Sequence, residues 1–347
     1  MEDRKGWLVK KVSELSDSYK IFGSELSPYS VKVRSYFRYK KIPHEWTLRS
    51  EQNLEEFERF AKLPLVPLVV TPEQKGIQDS TPIIEQMESL FPEPSIHPEN
   101  PALAFISALI EEYGDEWVNK PMFHYRWTYV PDQWATAERI ARQVLGDANG
   151  TQLAERRQAV RDRMIGRLAF VGSSEQTRQQ IEDSLANLLS ILEAHLAERL
   201  YLFGGRPAFG DFGLAAQLYQ CSTDPTPSAL MRERAPKVLG WVQRMLAPSN
   251  NGPFEPWDAL APTLVPLLET EIGKLFLPWS TANARALQAA DQTFSLELKG
   301  RKFSQQPQKY HARSLGVLKA RYAAMSDTTE LEPTLAAAGC LQWLRTD

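Results

Sequence analysis

The sequence predicts a two-part chain of the α/β plus all-α class, with an α/β domain followed by a helical domain. Short strand-like and helical segments alternate between residues 19 and 90 in the order β-α-β-α-β-β-α. The segment 91–94, Phe-Pro-Glu-Pro, then introduces long helical patterns without strand-like alternation. A chain of 347 residues with 43% hydrophobic content is long enough for two domains and an appendage.

Each element of the first domain has its own sequence pattern. Pro28 lies where a helix can begin, because proline fits the first helical turn, and Ile42-Pro43 ends that helix. The connecting helix predicts that the first two strands are parallel. The apolar run 64–70 indicates a buried strand. Strands are thus predicted at 19–22, 44–48, 64–70 and 77–78, and helices at about 28–41, 52–62 and 80–90.

The rest of the chain is dominated by helical periodicity, clearest between residues 181 and 200. Helices are predicted at about 101–118, 132–147, 151–170, 175–200, 212–221, 228–246, 264–276, 281–298 and 308–325. The predicted organisation is an N-terminal extension (1–17), an α/β domain (18–94), a helical domain (100–252) and a mostly helical C-terminal extension (253–347).

Composition and cysteine usage exclude several classes of function. The formal net charge is -3, and lysine, arginine and carboxylate side chains are mixed, so the chain has no basic field for nucleic acid or anionic lipid. No apolar run approaches the length of a membrane span. Cys221 and Cys340 are far apart and in no metal-ligand spacing, so we expect no metal site and a reducing, cytoplasmic location.

Three motifs of the first domain occur in an informative order. They are Ser27-Pro28-Tyr29-Ser30 at a helix start, Val66-Pro67 before a buried strand, and the segment 78–84, Gln-Asp-Ser-Thr-Pro-Ile-Ile, at another helix start. Together they resemble the N-terminal domain of the glutathione S-transferase superfamily. The segment 202–212 is also similar to a segment of that family's helical domain. The resemblance implies that Asp211 caps a helix, and Ala208 stands where the family usually has a hydroxyl residue. The resemblance covers about residues 18–246 and implies a thioredoxin-like first domain.

The resemblance implies that Ser27 stabilises the thiolate of bound glutathione. A helix N-terminus favours a nearby anion, and a hydroxyl donor adds a hydrogen bond to it. Lowering the pKa of a free thiol by roughly two units from about 8.5 corresponds to about 2.7 kcal/mol. The alternative is that Ser27 is only the helix N-cap, with Ser24, Tyr29 and Ser30 as other candidates for the thiol contact.

The resemblance also implies the residues that bind glutathione. Val66, in a cis peptide bond to Pro67, would pair its main chain with the cysteinyl part. Asp79 would bind the γ-glutamyl amino group and Ser80 the α-carboxylate, while Lys62 is a candidate for the glycyl carboxylate. Since neither position 27 nor position 30 is cysteine, thiol-disulfide exchange is not expected.

The second substrate would bind among aromatic residues, and the candidates are Tyr29, Tyr113, Trp117, His124 and Trp127. The alternative for each is a place in the core or between domains. The resemblance thus implies a cytoplasmic, homodimeric glutathione transferase, with glutathione as co-substrate and an electrophilic apolar or aromatic molecule as acceptor. Two alternatives stay open: a non-catalytic protein of the same fold that binds a ligand or a protein, and a glutathione-dependent lyase or reductase of a specific metabolite.

Overall fold

The computed structural model describes residues 18–146 and 149–345. The predicted N-terminal extension, residues 1–17, lies outside the described residues. Among the described helices, none combines the length and the apolar character that crossing a membrane requires.

The first domain is a four-stranded mixed sheet covered by helices on both faces. Its strands are β1 (Tyr19–Gly23), β2 (His44–Leu48), β3 (Leu68–Val70) and β4 (Gly76–Gln78), and its helices are α1 (Pro28–Tyr39), α2 (Leu54–Phe60) and α3 (Ser80–Leu90). The strand order is β2-β1-β3-β4. The predicted parallel pairing of β1 with β2 is confirmed, and β3 runs antiparallel to both β1 and β4.

Alternation along β1 explains why both faces of the sheet are covered. Ile21 belongs to the main core together with residues of α1 and α3, whereas the next residue, Phe22, packs in a second cluster with Phe57 of α2. Both side chains are fully buried. The predicted strand 64–70 is shorter in the structure, because only Leu68–Val70 pairs with neighbouring strands.

The middle of the chain is helical, as predicted. It contains α4 (Pro101–Tyr113), a π-helical turn (Gly114–Val118), α5 (Asn119–Thr128), α6 (Val130–Leu145), α7 (Gly150–Ile165), α8 (Arg178–His195), α9 (Phe209–Thr223), α10 (Pro225–Arg234) and α11 (Pro236–Arg244). The single helix predicted over 228–246 is wrong. Pro236 begins a new helix and holds Ala235 outside the helical region, at φ −143° and ψ 55°.

The C-terminal extension contains helices and one β-hairpin. Its elements are α12 (Trp257–Leu267), a π-helical segment (Leu268–Phe276), α13 (Leu277–Gln288), β5 (Phe294–Leu298), β6 (Arg301–Gln305), α14 (Lys309–Ala323), α15 (Leu331–Ala337) and α16 (Leu341–Leu344). The helix predicted over 281–298 is therefore wrong in its second half. Alternating Phe294, Leu296 and Leu298 favour a strand, and Lys299 and Gly300 form a two-residue turn with positive φ angles at both positions.

One hydrophobic core joins all three parts of the described chain. It contains Ile21 and Tyr36 from the first domain, Leu109 from the helical domain, and Trp279 and Leu318 from the extension. The extension therefore packs as an integral part of the fold and fixes elements next to the first domain.

His195, at the end of α8, connects the helical domain to the extension and should make stability depend on pH. Its ring nitrogens lie 2.8 Å from the Leu202 carbonyl oxygen and 2.7 Å from the Thr263 hydroxyl. Burial lowers the pKa of His195 to about 4 from an ordinary value of 6.5. Between these two pKa values the unfolded chain binds a proton at His195 and the folded protein does not. The stability that neutral His195 contributes is therefore fully present above pH 6.5 and is lost as pH falls toward 4.

The loss should amount to about 3 kcal/mol in the free energy of unfolding. Urea unfolding at a series of pH values measures it for the wild type and for His195→Gln. We expect the difference between the two stability curves to shrink as pH decreases through this range. An unchanged difference would remove His195 as the cause.

Candidate functional site

Ser27 is the N-cap of α1. Its side-chain oxygen accepts a hydrogen bond from the Ser30 main-chain N–H at 3.2 Å, and Pro28 occupies the first helical position. Ser27 is half-buried, and its O–H has no acceptor among the described residues. A hydroxyl group can accept and donate at the same time. The capping contact therefore leaves the Ser27 proton available to an anion beside the helix end.

The hydroxyl groups of the other three candidates, Ser24, Tyr29 and Ser30, are either hydrogen-bonded or buried. The Ser24 hydroxyl donates to the Gln143 side chain at 2.9 Å, and the Tyr29 hydroxyl donates to the Asp115 main-chain carbonyl at 3.0 Å. Burial raises the pKa of Tyr29, and the charge of Glu116 raises it further. The Ser30 hydroxyl is fully buried without a partner among the described residues. Ser27 thus has the only partly exposed, unengaged hydroxyl of these four.

The loop before β3 presents free main-chain groups. The Val66–Pro67 peptide bond is cis, as the resemblance implied. The Val66 N–H and C=O form no hydrogen bond within the described chain. The Gln78 side chain holds this loop, because its oxygen accepts from the Lys62 and Leu63 N–H groups at 2.7 and 3.0 Å. An extended peptide could therefore pair with Val66 as with the edge of a sheet.

Asp79 and Ser80 lie at the start of α3. Asp79 has a φ angle of +80°, which is unfavourable for a side-chain-bearing residue. Its carboxylate makes no capping bond to α3, but Oδ1 accepts a hydrogen bond from the Tyr310 hydroxyl at 3.0 Å. Ser80 is 3% exposed. The carboxylate is thus held away from the helix end, toward the space in front of it.

These groups converge on one cavity of about 650 Å³. All five residues predicted to bind glutathione line it, namely Lys62, Val66, Pro67, Asp79 and Ser80. Tyr29 lines it as well. Two residues of the C-terminal extension, Tyr310 and Arg313, also line it. Ser27 does not line this cavity, although Tyr29, two residues later on the same turn, does. The remaining lining residues are Leu63, Leu65, Gly76, Ile77, Gln78, Pro82 and Gln86.

The cavity carries opposite charges in fixed places. Asp79 is the only acidic residue in its lining, and the basic residues are Lys62 and Arg313. Both basic side chains are exposed, and neither forms an ion pair within residues 18–146 and 149–345. Two unpaired cations and one carboxylate match a ligand with two carboxylates and one ammonium group.

The predicted aromatic pocket for a second substrate is wrong for four of its five residues. Tyr113, Trp117, His124 and Trp127 are each at most 2% exposed and belong to the interior. The Trp117 indole donates to Ser184 at 2.9 Å, and His124 lies between Ser173 and Glu182 at 2.8 and 3.0 Å. Only Tyr29 lines the cavity.

The C-terminal extension covers one of these residues, Trp117. The Trp279 ring packs edge-on against the Trp117 ring with centroids 5.6 Å apart, and Phe303 lies 5.9 Å from the same ring. The buried Lys120 ammonium group lies 3.7 Å from the Trp279 ring centroid and donates to Gln305 at 2.9 Å. The part of the helical domain around Trp117, which we expected to be open, is therefore covered by α13 and the hairpin.

A buried ion cluster lies beneath the cavity. Lys32 of α1 is fully buried and donates to the carboxylates of Glu111 and Asp115, the latter at 2.6 Å. It also donates to the Thr81 hydroxyl at 2.9 Å. The cluster thus joins α1, α3 and the end of α4, which are the elements that position the helix N-termini of the site. Within the described residues, no group of three or more His, Cys, Asp and Glu side chains could hold a metal ion.

Sequence reasoning missed Tyr310, Arg313, Gln78 and Lys32. Gln78 lies inside a quoted motif, and the two loop N–H groups that it binds are not evident from that motif. Lys32 lies on the predicted helix, where an ordinary surface lysine would fit the pattern equally well. Tyr310 and Arg313 lie three residues apart in the predicted helix 308–325, but nothing in the sequence relates that helix to the first domain.

Two family models match the chain. "Glutathione S-transferase, N-terminal domain" matches residues 21–95, and "Glutathione S-transferase, C-terminal domain" matches residues 175–244. Both matches lie within the part for which the sequence motifs imply this family, and residues 245–347 lie outside both. No curated protein matches the chain significantly.

Several solved structures are similar to the chain at low identity. Glutathione transferase GSTFuA3 from Phanerochaete chrysosporium is 19% identical, with 66% of this chain and 96% of that chain covered and a TM-score of 0.47. Beta-etherase LigF from Sphingobium sp. strain SYK-6 is 18% identical, with 71% and 98% covered and a TM-score of 0.45. A glutathione S-transferase from Methylobacterium radiotolerans, in complex with glutathione sulfonate, is 18% identical, with 71% and 94% covered and a TM-score of 0.41.

Proposed function

Because the chain belongs to the glutathione S-transferase superfamily, we propose that it binds glutathione in the cavity described above and transfers its sulfur to an electrophilic second substrate. The observation that carries this proposal is the convergence of five predicted residues, from the two segments 62–67 and 79–80, on one cavity. We also carry over the homodimeric state and the cytoplasmic location from the family as parts of the proposal.

The cavity supplies complementary groups for the tripeptide. The free main-chain groups of Val66 pair with the cysteinyl residue, and the Asp79 carboxylate binds the γ-glutamyl ammonium group. Ser80 and the N-terminus of α3 receive the γ-glutamyl carboxylate. Lys62, which has no ion-pair partner in the described part of the chain, binds the glycyl carboxylate.

The reaction in this proposal begins with ionisation of the glutathione thiol. The thiol proton leaves to solvent, and the Ser27 O–H and the N-terminus of α1 stabilise the thiolate. A sulfur lone pair then forms the bond to the electrophilic carbon. In a substitution, the leaving group departs to solvent with the electrons of the bond that breaks. In an addition, the electrons of the activated double bond move onto the substrate, which then takes a proton from solvent. The apolar part of the acceptor contacts Leu63 and Leu65, which line the cavity. Their side chains are 58% and 62% exposed.

Ser27→Ala tests the catalytic step. Loss of a hydrogen bond to a charged group should raise the pKa of bound glutathione by about 1–2 units and lower kcat/KM for conjugation about 10- to 100-fold at neutral pH. The ultraviolet absorbance of the thiolate reports the pKa, and calorimetry reports the affinity. Ser24→Ala is the matched control, because that hydroxyl is engaged with Gln143.

Two outcomes would contradict the proposal at different levels. Unchanged turnover and thiol pKa in Ser27→Ala would remove Ser27 from its proposed role. Absence of glutathione binding to the wild type at millimolar concentration would end the enzymatic proposal as a whole.

A second candidate is a non-catalytic protein of this fold that binds glutathione or another ligand. The observation that favours it is the cover that α13 and the hairpin place over the aromatic face. It predicts glutathione binding with an unshifted thiol pKa and no turnover of electrophiles. A glutathione-dependent lyase or reductase would instead show the shifted pKa with turnover confined to a specific metabolite.

A further inference from the structure

One wall of the glutathione cavity comes from α14, in the part of the chain that neither family model matches. Tyr310 and Arg313, the second and fifth residues of that helix, line the cavity. They are three residues apart, so their side chains share one face of the helix. The Tyr310 hydroxyl donates to Asp79 Oδ1 at 3.0 Å, which places this face at the start of α3.

The position of α14 is fixed by contacts on its other sides. Leu315 and Leu318 are buried in the main core. His311 pairs with the buried Glu116, and its ring lies 4.8 Å from the Trp279 ring. Further along, the Arg321 guanidinium lies 2.6 Å from Glu85 of α3. Tyr310 and Arg313 are therefore presented to the cavity by a packed helix that is tied to α3 at two points.

Arg313 has the chemistry of a carboxylate-binding residue without a protein carboxylate to bind. It is exposed, it lines the cavity, and it forms no ion pair with the residues that the structure describes. The neighbouring Arg321 on the same helix does have such a partner. A guanidinium group binds carboxylates through two parallel hydrogen bonds, which a lysine cannot do.

Tyr310 orients the Asp79 carboxylate. Its hydroxyl occupies one lone pair of Asp79 Oδ1 and leaves Oδ2 without a partner among the described residues. Asp79 makes no capping bond to its own helix, so the tyrosine is what orients the carboxylate. An ammonium group in the cavity would then meet a pre-positioned acceptor, with a guanidinium group nearby for the carboxylate on the same carbon.

We propose that the C-terminal extension supplies two glutathione-binding residues to the cavity. Arg313 binds the α-carboxylate of the γ-glutamyl residue together with Ser80 and the N-terminus of α3, and Tyr310 positions Asp79 for its ammonium group. This inference rests on the proposed function, because it assigns the ligand of the same cavity. Lys62 remains the partner of the glycyl carboxylate, so the two cations divide the two carboxylates between them.

Calorimetric titration with two ligands tests the assignment. The first is glutathione, and the second is glutathione amide, in which the glycyl carboxylate is neutralised. We expect Arg313→Ala to weaken binding of both ligands by the same factor, about ten-fold or more. Lys62→Ala should weaken only glutathione. Tyr310→Phe, which removes one neutral hydroxyl, should weaken both ligands about two- to ten-fold.

Lys309→Ala is the matched control. It removes one positive charge from the same helix at an exposed position outside the cavity lining, and its affinities should equal those of the wild type. Thermal unfolding of each variant checks that the fold is retained. Arg313→Lys adds a second measure, because lysine keeps the positive charge but cannot form two parallel hydrogen bonds to a carboxylate. This variant should bind glutathione more weakly than the wild type and more tightly than Arg313→Ala.

The outcomes separate this inference from the proposed function. If the wild type binds glutathione and Arg313→Ala binds both ligands equally well, the inference is overturned and the proposed function stands. If the effect of Arg313→Ala disappears with glutathione amide, Arg313 binds the glycyl carboxylate and the assignment is overturned. If the wild type does not bind glutathione, the proposed function fails first.

Discussion

Lys32→Met is expected to lower the free energy of unfolding by about 3–5 kcal/mol, because removing one partner of a buried ion pair leaves uncompensated charge in the interior. Lys32 is fully buried, and its ammonium group lies between the carboxylates of Glu111 and Asp115. Both carboxylates are themselves at most 6% exposed at the side chain. Methionine fills a similar volume, so the loss comes from charge and hydrogen bonds.

The loss should depend on pH. Burial raises the pKa of Asp115 to about 7 from an ordinary value of 3.8, although the Lys32 ammonium group lowers it. Without Lys32 this pKa rises further. A carboxyl whose pKa is higher in the folded than in the unfolded state holds its proton more tightly when folded, so stability falls as pH rises above 3.8. The variant should therefore be closest to the wild type in mild acid and furthest from it above neutral pH.

Urea unfolding of both proteins at several pH values measures this effect. Lys274→Met is the matched control, since it removes the same charge from an ion pair with Glu269 whose side chains are 54% and 46% exposed. Exposed pairs of this kind contribute at most about 1 kcal/mol. A Lys32→Met protein as stable as the control at all pH values would show that the cluster does not need its cation.

Lys32 also relates the stability of the fold to the site. It lies on α1, five residues after Ser27, and its contacts reach Thr81 on α3 and two carboxylates at the end of α4. The two helix N-termini of the proposed glutathione site are therefore held together by one buried ammonium group. A polar cluster of this kind fixes relative orientation, which an apolar contact specifies less strictly.

The α/β domain and the residues of its candidate site could be predicted from sequence because the patterns that point to them are local. Pro28 marks a helix start, and the alternation of helices with short β-prone runs predicts the order of the elements along the chain and the parallel pairing of β1 with β2. Val66-Pro67, Asp79 and Ser80 were found because their order matches a family, and the cavity brings them together. The role of Ser27 stays a prediction, since the structure shows only its capping contact and its free proton.

What could not be predicted depends on contacts between distant segments. Tyr310 meets Asp79 across 231 residues, and no local pattern specifies that approach. Trp117 was expected to face a substrate because a helical pattern shows which side is apolar but not what covers it. Trp279 and Phe303 provide that cover. The hairpin was missed for a different reason, because its period-two alternation is short and follows a strong helix.

Asp211→Ala is expected to destabilise the protein by about 3–6 kcal/mol. The Asp211 carboxylate is fully buried and accepts three hydrogen bonds, from the Leu202 N–H at 2.8 Å, the Ala208 N–H at 2.9 Å and the Trp241 indole at 2.9 Å. Alanine leaves all three donors buried and unpaired, and each such donor costs about 1–3 kcal/mol. Because Ala208 has no hydroxyl, this carboxylate is the only side-chain cap between positions 208 and 211.

The three acceptor contacts also rank the variants. Asp211→Asn keeps one oxygen, which can still accept hydrogen bonds from the Leu202 N–H and the Trp241 indole. Its NH2 group faces the Ala208 N–H and cannot accept from it. The stability of this variant should therefore fall between those of the wild type and Asp211→Ala. Asp258→Ala is the control, since it removes an exposed carboxylate from the first turn of α12 and should cost less than about 1 kcal/mol. Urea unfolding followed by tryptophan fluorescence gives the order. Equal stabilities for Asp211→Ala and Asp258→Ala would mean that water satisfies the three donors, and the start of α9 would not depend on this carboxylate.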